Sequence, residues 1–373
     1  MADFDKWWND LKKHRKRLRS WLPHCRALAE HVGGDRPIRY FTLCARPMID
    51  VFMLVREGLL SVDPDGRAIS GVQFCECDSK QFDEIGEMIG TEGAGFFGQL
   101  ESVVLFEDDD FTGQFPTPES ISLKLEDQSL HTGLPADLER VDRLQLKRTH
   151  FNVRSSFPYD VVNLDFCQYY YPRPPGMLRV NETVRRILDW QQRPSEAGNR
   201  IQEFVLAVTC RHDVEFPAEA EARLAELIRN NCASSGQYRA EVEKTRGVAQ
   251  VEEWVAKDRE DFFFSGWPKD IARSAREYGW SMDVLDYVYY RRPADSRNPY
   301  LIACLVARFT RSHGLPDYIP TALYVLAPEN RKLIDEIART STEGKELLEN
   351  LGGIVEIRNE QARLKHQPEL PDP

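Results

Sequence analysis

The acidic residues of this 373-residue chain include three groups that close or bracket short apolar runs. Glu76-Cys77-Asp78 follows GVQFC, Glu107-Asp108-Asp109-Asp110 follows SVVLF, and Asp160-x-x-x-x-Asp165 brackets VVNL. A carboxylate at the carboxyl end of a buried strand can accept hydrogen bonds from both hydroxyls of a sugar, and Glu76 is the residue best placed to do so. Asp78 could instead cap the next helix. The four acids ending at Asp110 suit either a divalent cation or a solvated loop. Asp165 can serve as a general base or orient a substrate. The tyrosines that follow, Tyr169, Tyr170 and Tyr171, offer rings on which a planar group can stack. The plainer alternative has Asp165 capping a turn and the tyrosines half buried under the next loop.

A fourth position is TLCARPMID, residues 42–50. Small Cys44 and Ala45 would admit a ligand close to the backbone, and Arg46 and Asp50 could contact a polar one. The same residues also read as an ordinary strand-to-helix turn with Pro47 at its start. His212-Asp213, with Thr209 and Cys210, could line the same rim. Cys75 and Cys77 form only C-x-C, which lacks the second pair a zinc site needs, so no metal site is expected. Phosphate-loop, H-E-x-x-H and G-x-S-x-G patterns are missing, which excludes the enzymes built on them.

The elements that must carry these groups alternate. Strands are expected at 38–45, 71–78, 101–110, 160–166 and 204–210, with helices between them at about 48–60, 79–90 and 181–193. The spacing predicts two further strands at 281–292 and 299–310, joined as an antiparallel hairpin. Residues 217–278 read as mostly helical, with further helices near 136–147, 328–339 and 342–350. Alternation of this kind predicts an α/β fold, a mostly parallel sheet flanked by helices and closed by an antiparallel β-hairpin.

Five β/α steps closed by a hairpin resemble the Rossmann-like plan of the class I S-adenosylmethionine-dependent methyltransferases. The resemblance implies a domain over 35–312, with insertions at about 111–150 and 232–265, and a helical extension and polar tail over 313–373. It implies S-adenosylmethionine as cofactor, held by Cys44, Ala45, Asp50, Glu76 and Asp78, with Asp108 near the adenine. Asp165 and Tyr169 would then face the transferred methyl group. Two features depart from the family. The first turn, Cys44-Ala45-Arg46-Pro47, has no glycine, and Asp165-Phe166-Cys167-Gln168 lacks the paired prolines of the amino-methyltransferases. The implied substrate is nucleic acid or a small planar molecule. The alternative is an inactive scaffold or recognition subunit of a bacterial defence or DNA-modification assembly, meeting protein partners through its insertions.

Net charge is −11, against reliance on broad phosphate contact, yet Lys6–Arg26 carries eight Lys or Arg residues and one acid. Residues 5–31 read as an amphipathic helix within an N-terminal segment 1–34. Lys12, Lys13, Arg15, Lys16, Arg17 and Arg19 would either contact nucleic-acid phosphates or form a solvated face. The absence of roughly 18 consecutive apolar residues argues against a membrane span. The N-terminus has no apolar signal core, and the scattered cysteines suit reduced thiols; both fit a cytoplasmic protein.

Overall fold

The computed structural model describes residues 10–32, 36–43, 47–104, 148–171, 180–194, 200–212, 218–247, 250–291, 301–311 and 332–365. The chain forms an α/β fold around one eight-stranded sheet. Its strands are β1 (Tyr40–Thr42), β4 (Val72–Glu76), β5 (Gly95–Phe97), β6 (Val161–Tyr169), β7 (Glu203–His212), β8 (Trp280–Arg291), β9 (Leu301–Arg311) and β10 (Lys332–Leu333), while β2 (Ser61–Val62) and β3 (Ile69–Ser70) make a separate small hairpin. The order across the sheet is β10-β8-β9-β7-β6-β1-β4-β5. From β5 to β7 every neighbouring pair is parallel. β9 runs antiparallel between β7 and β8. The expected closing hairpin is therefore present, with its second strand inserted inside its first.

Strand residues alternate between two helical layers, as the period of two requires. One layer holds α1 (Leu11–Arg15), a π-helical turn (Lys16–Trp21), α2 (Leu22–His31), α3 (Ile49–Arg56), α4 (Ser79–Ile89) and α11 (Thr342–Lys365). Tyr40, Phe74, Val161, Val205, Ala207, Val288 and Val306 point into it. The other layer holds α5 (Leu100–Val104), a helix over residues 148–156, α6 (Val180–Trp190), α7 (Ala218–Ser234), α8 (Gly236–Arg246), α9 (Val251–Lys257) and α10 (Arg259–Glu277). Phe41, Val162, Leu164, Phe204, Leu206, Tyr287 and Phe309 face that side.

Three expected elements change. The third strand is GFF at 95–97, and the apolar run placed there in the sequence begins instead as helix α5. Gly95 explains the choice: a Cβ there would meet the rings of Phe74 and Phe82 at 2.7 Å, so only glycine allows the backbone this close to β4. Of the helix expected near 328–339, residues 332–338 form a two-residue strand, paired parallel to β8, and coil. The C-terminal helix expected near 342–350 runs on to Lys365. The helix expected at 136–147 lies outside the described residues. Among the described residues no helix is long and apolar enough to cross a membrane.

Candidate functional site

In an open parallel sheet the natural ligand crevice lies beyond the carboxyl ends, where the strand order reverses. Here the reversal falls between β1 and β6. β1 ends early: Thr42 lies opposite Phe74 of β4 and Asn163 of β6. Glu76 and Asp165 each stand two residues beyond those pairings and so rise above β1 on either side. Pairing of β6 with β7 is regular up to Asp165–Thr209, then breaks into a bulge before Tyr169–Arg211. Such bulges re-aim side chains at a sheet's rim.

The turn after β1 enters α3 through Met48, which adopts a left-handed φ of 53° and is buried. A non-glycine residue there stores roughly 1–3 kcal/mol of backbone strain. Cys44, Ala45 and Arg46 lie outside the described residues. Asp50 lies in the first turn of α3 and faces the sheet. Its Oδ2 accepts hydrogen bonds from Tyr40 Oη (2.6 Å), Thr42 Oγ1 (2.9 Å) and Asn163 Nδ2 (3.2 Å). That carboxylate oxygen is committed to tying α3 to β1 and β6. Burial, and then the Asp50 charge, push the Tyr40 phenol well above its ordinary pKa, so it stays a donor.

Glu76 is half-buried at the end of β4, and its Oε1 accepts from the backbone N–H groups of Cys77 (2.7 Å) and Asp78 (2.9 Å). Asp78 is exposed and caps α4, accepting from Gln81 N–H at 2.9 Å. The capping role open to Asp78 in the sequence is thus the one its side chain performs. Asp108 and its acidic neighbours lie outside the described residues. Among those described, no His, Cys, Asp and Glu side chains gather to hold a metal ion.

Asp165 sits under the N-terminal helix. Lys13 Nζ is 2.6 Å from its Oδ2, and Lys16 Nζ is 4.0 Å from its Oδ1. Lys16 also donates to Thr209 Oγ1 at 2.9 Å. Burial alone would raise the Asp165 pKa, but Lys13, Lys16 and Arg17 hold it well below the usual carboxylate range. A carboxylate so held takes up a proton poorly near neutrality, which weakens the general-base role. Tyr169 is half-buried with the Arg211 guanidinium over its ring, 5.8 Å from the centroid. The expectation that all three tyrosines could stack on a ligand is corrected for two of them. Tyr170 packs edge-on against Trp267 and Tyr171 against Phe263, both buried beneath α10. The Tyr171 hydroxyl donates to Asp270 at 3.0 Å. Cys210 is buried on that same side of the sheet, and the His212 side chain and Asp213 lie outside the described residues.

The basic helix is largely spoken for within the fold. Lys12 is buried and binds the Arg291 carbonyl (2.7 Å) and the Glu336 carboxylate. Arg15 and Arg19 both reach Glu343, at 3.0 and 3.2 Å. Of the six basic residues named from the sequence, Lys12, Arg15 and Arg19 are thus paired with Glu336 and Glu343, and Lys13 and Lys16 face Asp165. Thr42 and Asn163, which the sequence did not single out, join Thr209, which it did, in a polar seam across β1, β6 and β7. The signal was present as a polar residue at the carboxyl end of each otherwise apolar strand face: Thr42, Asn163-x-Asp165 and Thr209.

No protein-family model matches the chain, and neither a curated protein nor a solved structure matches it.

Proposed function

We propose that this chain is a divergent S-adenosylmethionine-binding protein of the methyltransferase plan, with its ligand lying across the carboxyl ends of β1 and β4. The observation that carries the reading is the position of Glu76. It ends β4 next to the short β1 and stands above it, half-buried, with two backbone N–H groups held on Oε1. Five parallel strands closed by a hairpin add support. The residues fit an adenosyl ligand in part: Glu76 suits the ribose, whereas Asp50 is engaged by its own sheet and would act by fixing the turn rather than by touching the ligand.

The test is isothermal titration of the full chain with S-adenosylhomocysteine. A measurable heat, weakened about tenfold or more in Glu76→Ala, is the expected outcome. No heat and no thermal stabilisation at millimolar ligand would overturn it.

A second reading, a scaffold that binds the ligand without transferring methyl groups, is favoured by one feature. Asp165, the residue that would serve as base, is neutralised by Lys13 and Lys16. Binding without turnover on nucleic-acid and small planar acceptors, together with a co-purifying protein partner, would select it.

A further inference from the structure

The group around Asp165 is unbalanced. Lys13 and Lys16 stand 2.6 and 4.0 Å from this single carboxylate, and Arg17, four residues on from Lys13 in the same helical run, adds its charge to theirs. The Lys16 side chain is only 6% exposed, Lys13 25% and Asp165 17%. An ammonium has three donors. Lys16, cut off from water, spends one on Thr209 and keeps Asp165 at a distant 4.0 Å. Lys13 spends one on Asp165. Arg17 is half-buried and makes no hydrogen bond or ion pair among the described residues. Arg211 follows two positions after Thr209 on the same face of β7, its guanidinium over Tyr169. Spare donors, shielded from water on Lys16 and partly exposed on Lys13 and Arg17, are thus left over near the rim of the sheet, where β6 and β7 part into a bulge. Uncompensated buried cations are costly, and an anion with several acceptor oxygens would relieve that cost.

We infer that Lys13, Lys16 and Arg17 form a subsite for a phosphate group, in which Asp165 holds one of the donors until the anion arrives. The chemistry is that of a phosphate monoester or of free phosphate. The inference stands apart from the adenosyl reading, since it uses none of Cys44, Ala45, Asp50, Glu76 or Asp78.

The subsite makes an unusual demand on Asp165. On an ordinary basic surface, removing one acid barely alters anion binding. Here Asp165→Asn frees the Lys13 ammonium and strips from Lys16 the one carboxylate paired with it among the described residues, so phosphate should bind more tightly to the variant.

The experiment is a thermal-shift and calorimetric titration of the full chain with inorganic phosphate, uridine monophosphate and uridine at fixed ionic strength. Wild type is expected to be stabilised by millimolar phosphate or the nucleotide, but not by uridine. Asp165→Asn should melt lower without ligand and show a larger phosphate-induced shift than wild type. Lys13→Ala and Arg17→Ala, at partly exposed positions, should weaken phosphate binding by about tenfold, while Arg19→Ala should bind as wild type. Stabilisation by the nucleotide alone would place the source in a phosphorylated substrate; stabilisation by both would make free phosphate sufficient. The inference is overturned by no phosphate effect in wild type, by equal losses in Arg17→Ala and Arg19→Ala, or by a folded Asp165→Asn that responds no more than wild type. If Asp165→Asn does not fold, the two cation variants decide alone. Retained S-adenosylhomocysteine binding with no phosphate binding would sink this inference and leave the adenosyl reading standing.

Discussion

The two faces of the sheet are built on different principles. Beneath α6–α10 the core is aromatic: Phe204 stacks on Phe309 at 4.8 Å and 11°, and Phe263 lies nearly parallel to Trp267. Ionisable groups on that side are enclosed by the helices that bring them. Asp270 is held between Tyr171 and Arg223, and Lys269 is fully buried over the Tyr238 ring, its pKa pushed well down by desolvation. The opposite face mixes apolar packing with a polar seam, Tyr40, Thr42, Asn163, Asp165 and Thr209, that rises toward the carboxyl ends of the strands. The contrast separates a side whose ionisable groups are closed in by its own helices from a side whose polar seam runs from buried Tyr40 and Thr42 to the partly exposed Asp165.

That division can be broken by measurement. The largest effect should come from the aromatic side, where Trp267→Ala removes a fully buried ring and should cost about 3–5 kcal/mol in urea unfolding. A loss no greater than that of a seam variant would end the distinction. The next effect is acid-linked. His14 is 1% exposed between α1 and α11, and burial, then Arg17, lowers its pKa from 6.5 to about 4. The unfolded chain therefore binds this proton more readily than the folded one. The associated penalty is absent above pH 6.5, grows as pH falls toward 4, and reaches about 3 kcal/mol. His14→Phe should flatten the stability profile in that window; an unchanged profile would mean that His14 does not set it. Asp50→Ala should cost about 2 kcal/mol, because Tyr40, Thr42 and Asn163 lose a shared acceptor. Glu76→Gln is expected to change stability by less than about 0.5 kcal/mol, with its effect confined to ligand affinity. A large melting shift would make Glu76 a structural residue instead.

Much of the architecture was legible because buried strands announce themselves as apolar runs bounded by turns. β4, β6, β7, β8 and β9 stand close to where the sequence placed them. β5 was not legible: three residues at an edge carry too little pattern, while the apolar run just beyond them mimics a strand. The short β10 escaped for the same reason, since pairing with β8 rather than local propensity makes it a strand. The site was legible at Glu76 and Asp165 as positions but not in its partners. Helical periodicity placed the lysines on an outer face. Pro23 explains part of the error: it has no N–H for the Arg19 carbonyl, and the Leu22 N–H bonds back to Arg17 in a widened turn. That turn changes the phase of the helix and leaves Lys12, Lys16 and Ser20 buried with Trp21. No periodicity count on an ideal α-helix contains that shift.

The inserted position of β9 governs how the molecule must be made. β7 is complete long before the strand that flanks it, so during synthesis its outer edge stays unpaired while α7–α10 and β8 emerge. β8 cannot close that gap itself, because its native neighbour is β9 and not β7. If β6 and β7 pair before synthesis is complete, the sheet carries an open slot one strand wide until Leu301–Arg311 arrives to fill it. Until then an apolar edge lies bare to any other extended chain. The helices of the aromatic layer, which precede β9 in the sequence, are the parts already made that can hold the slot apart.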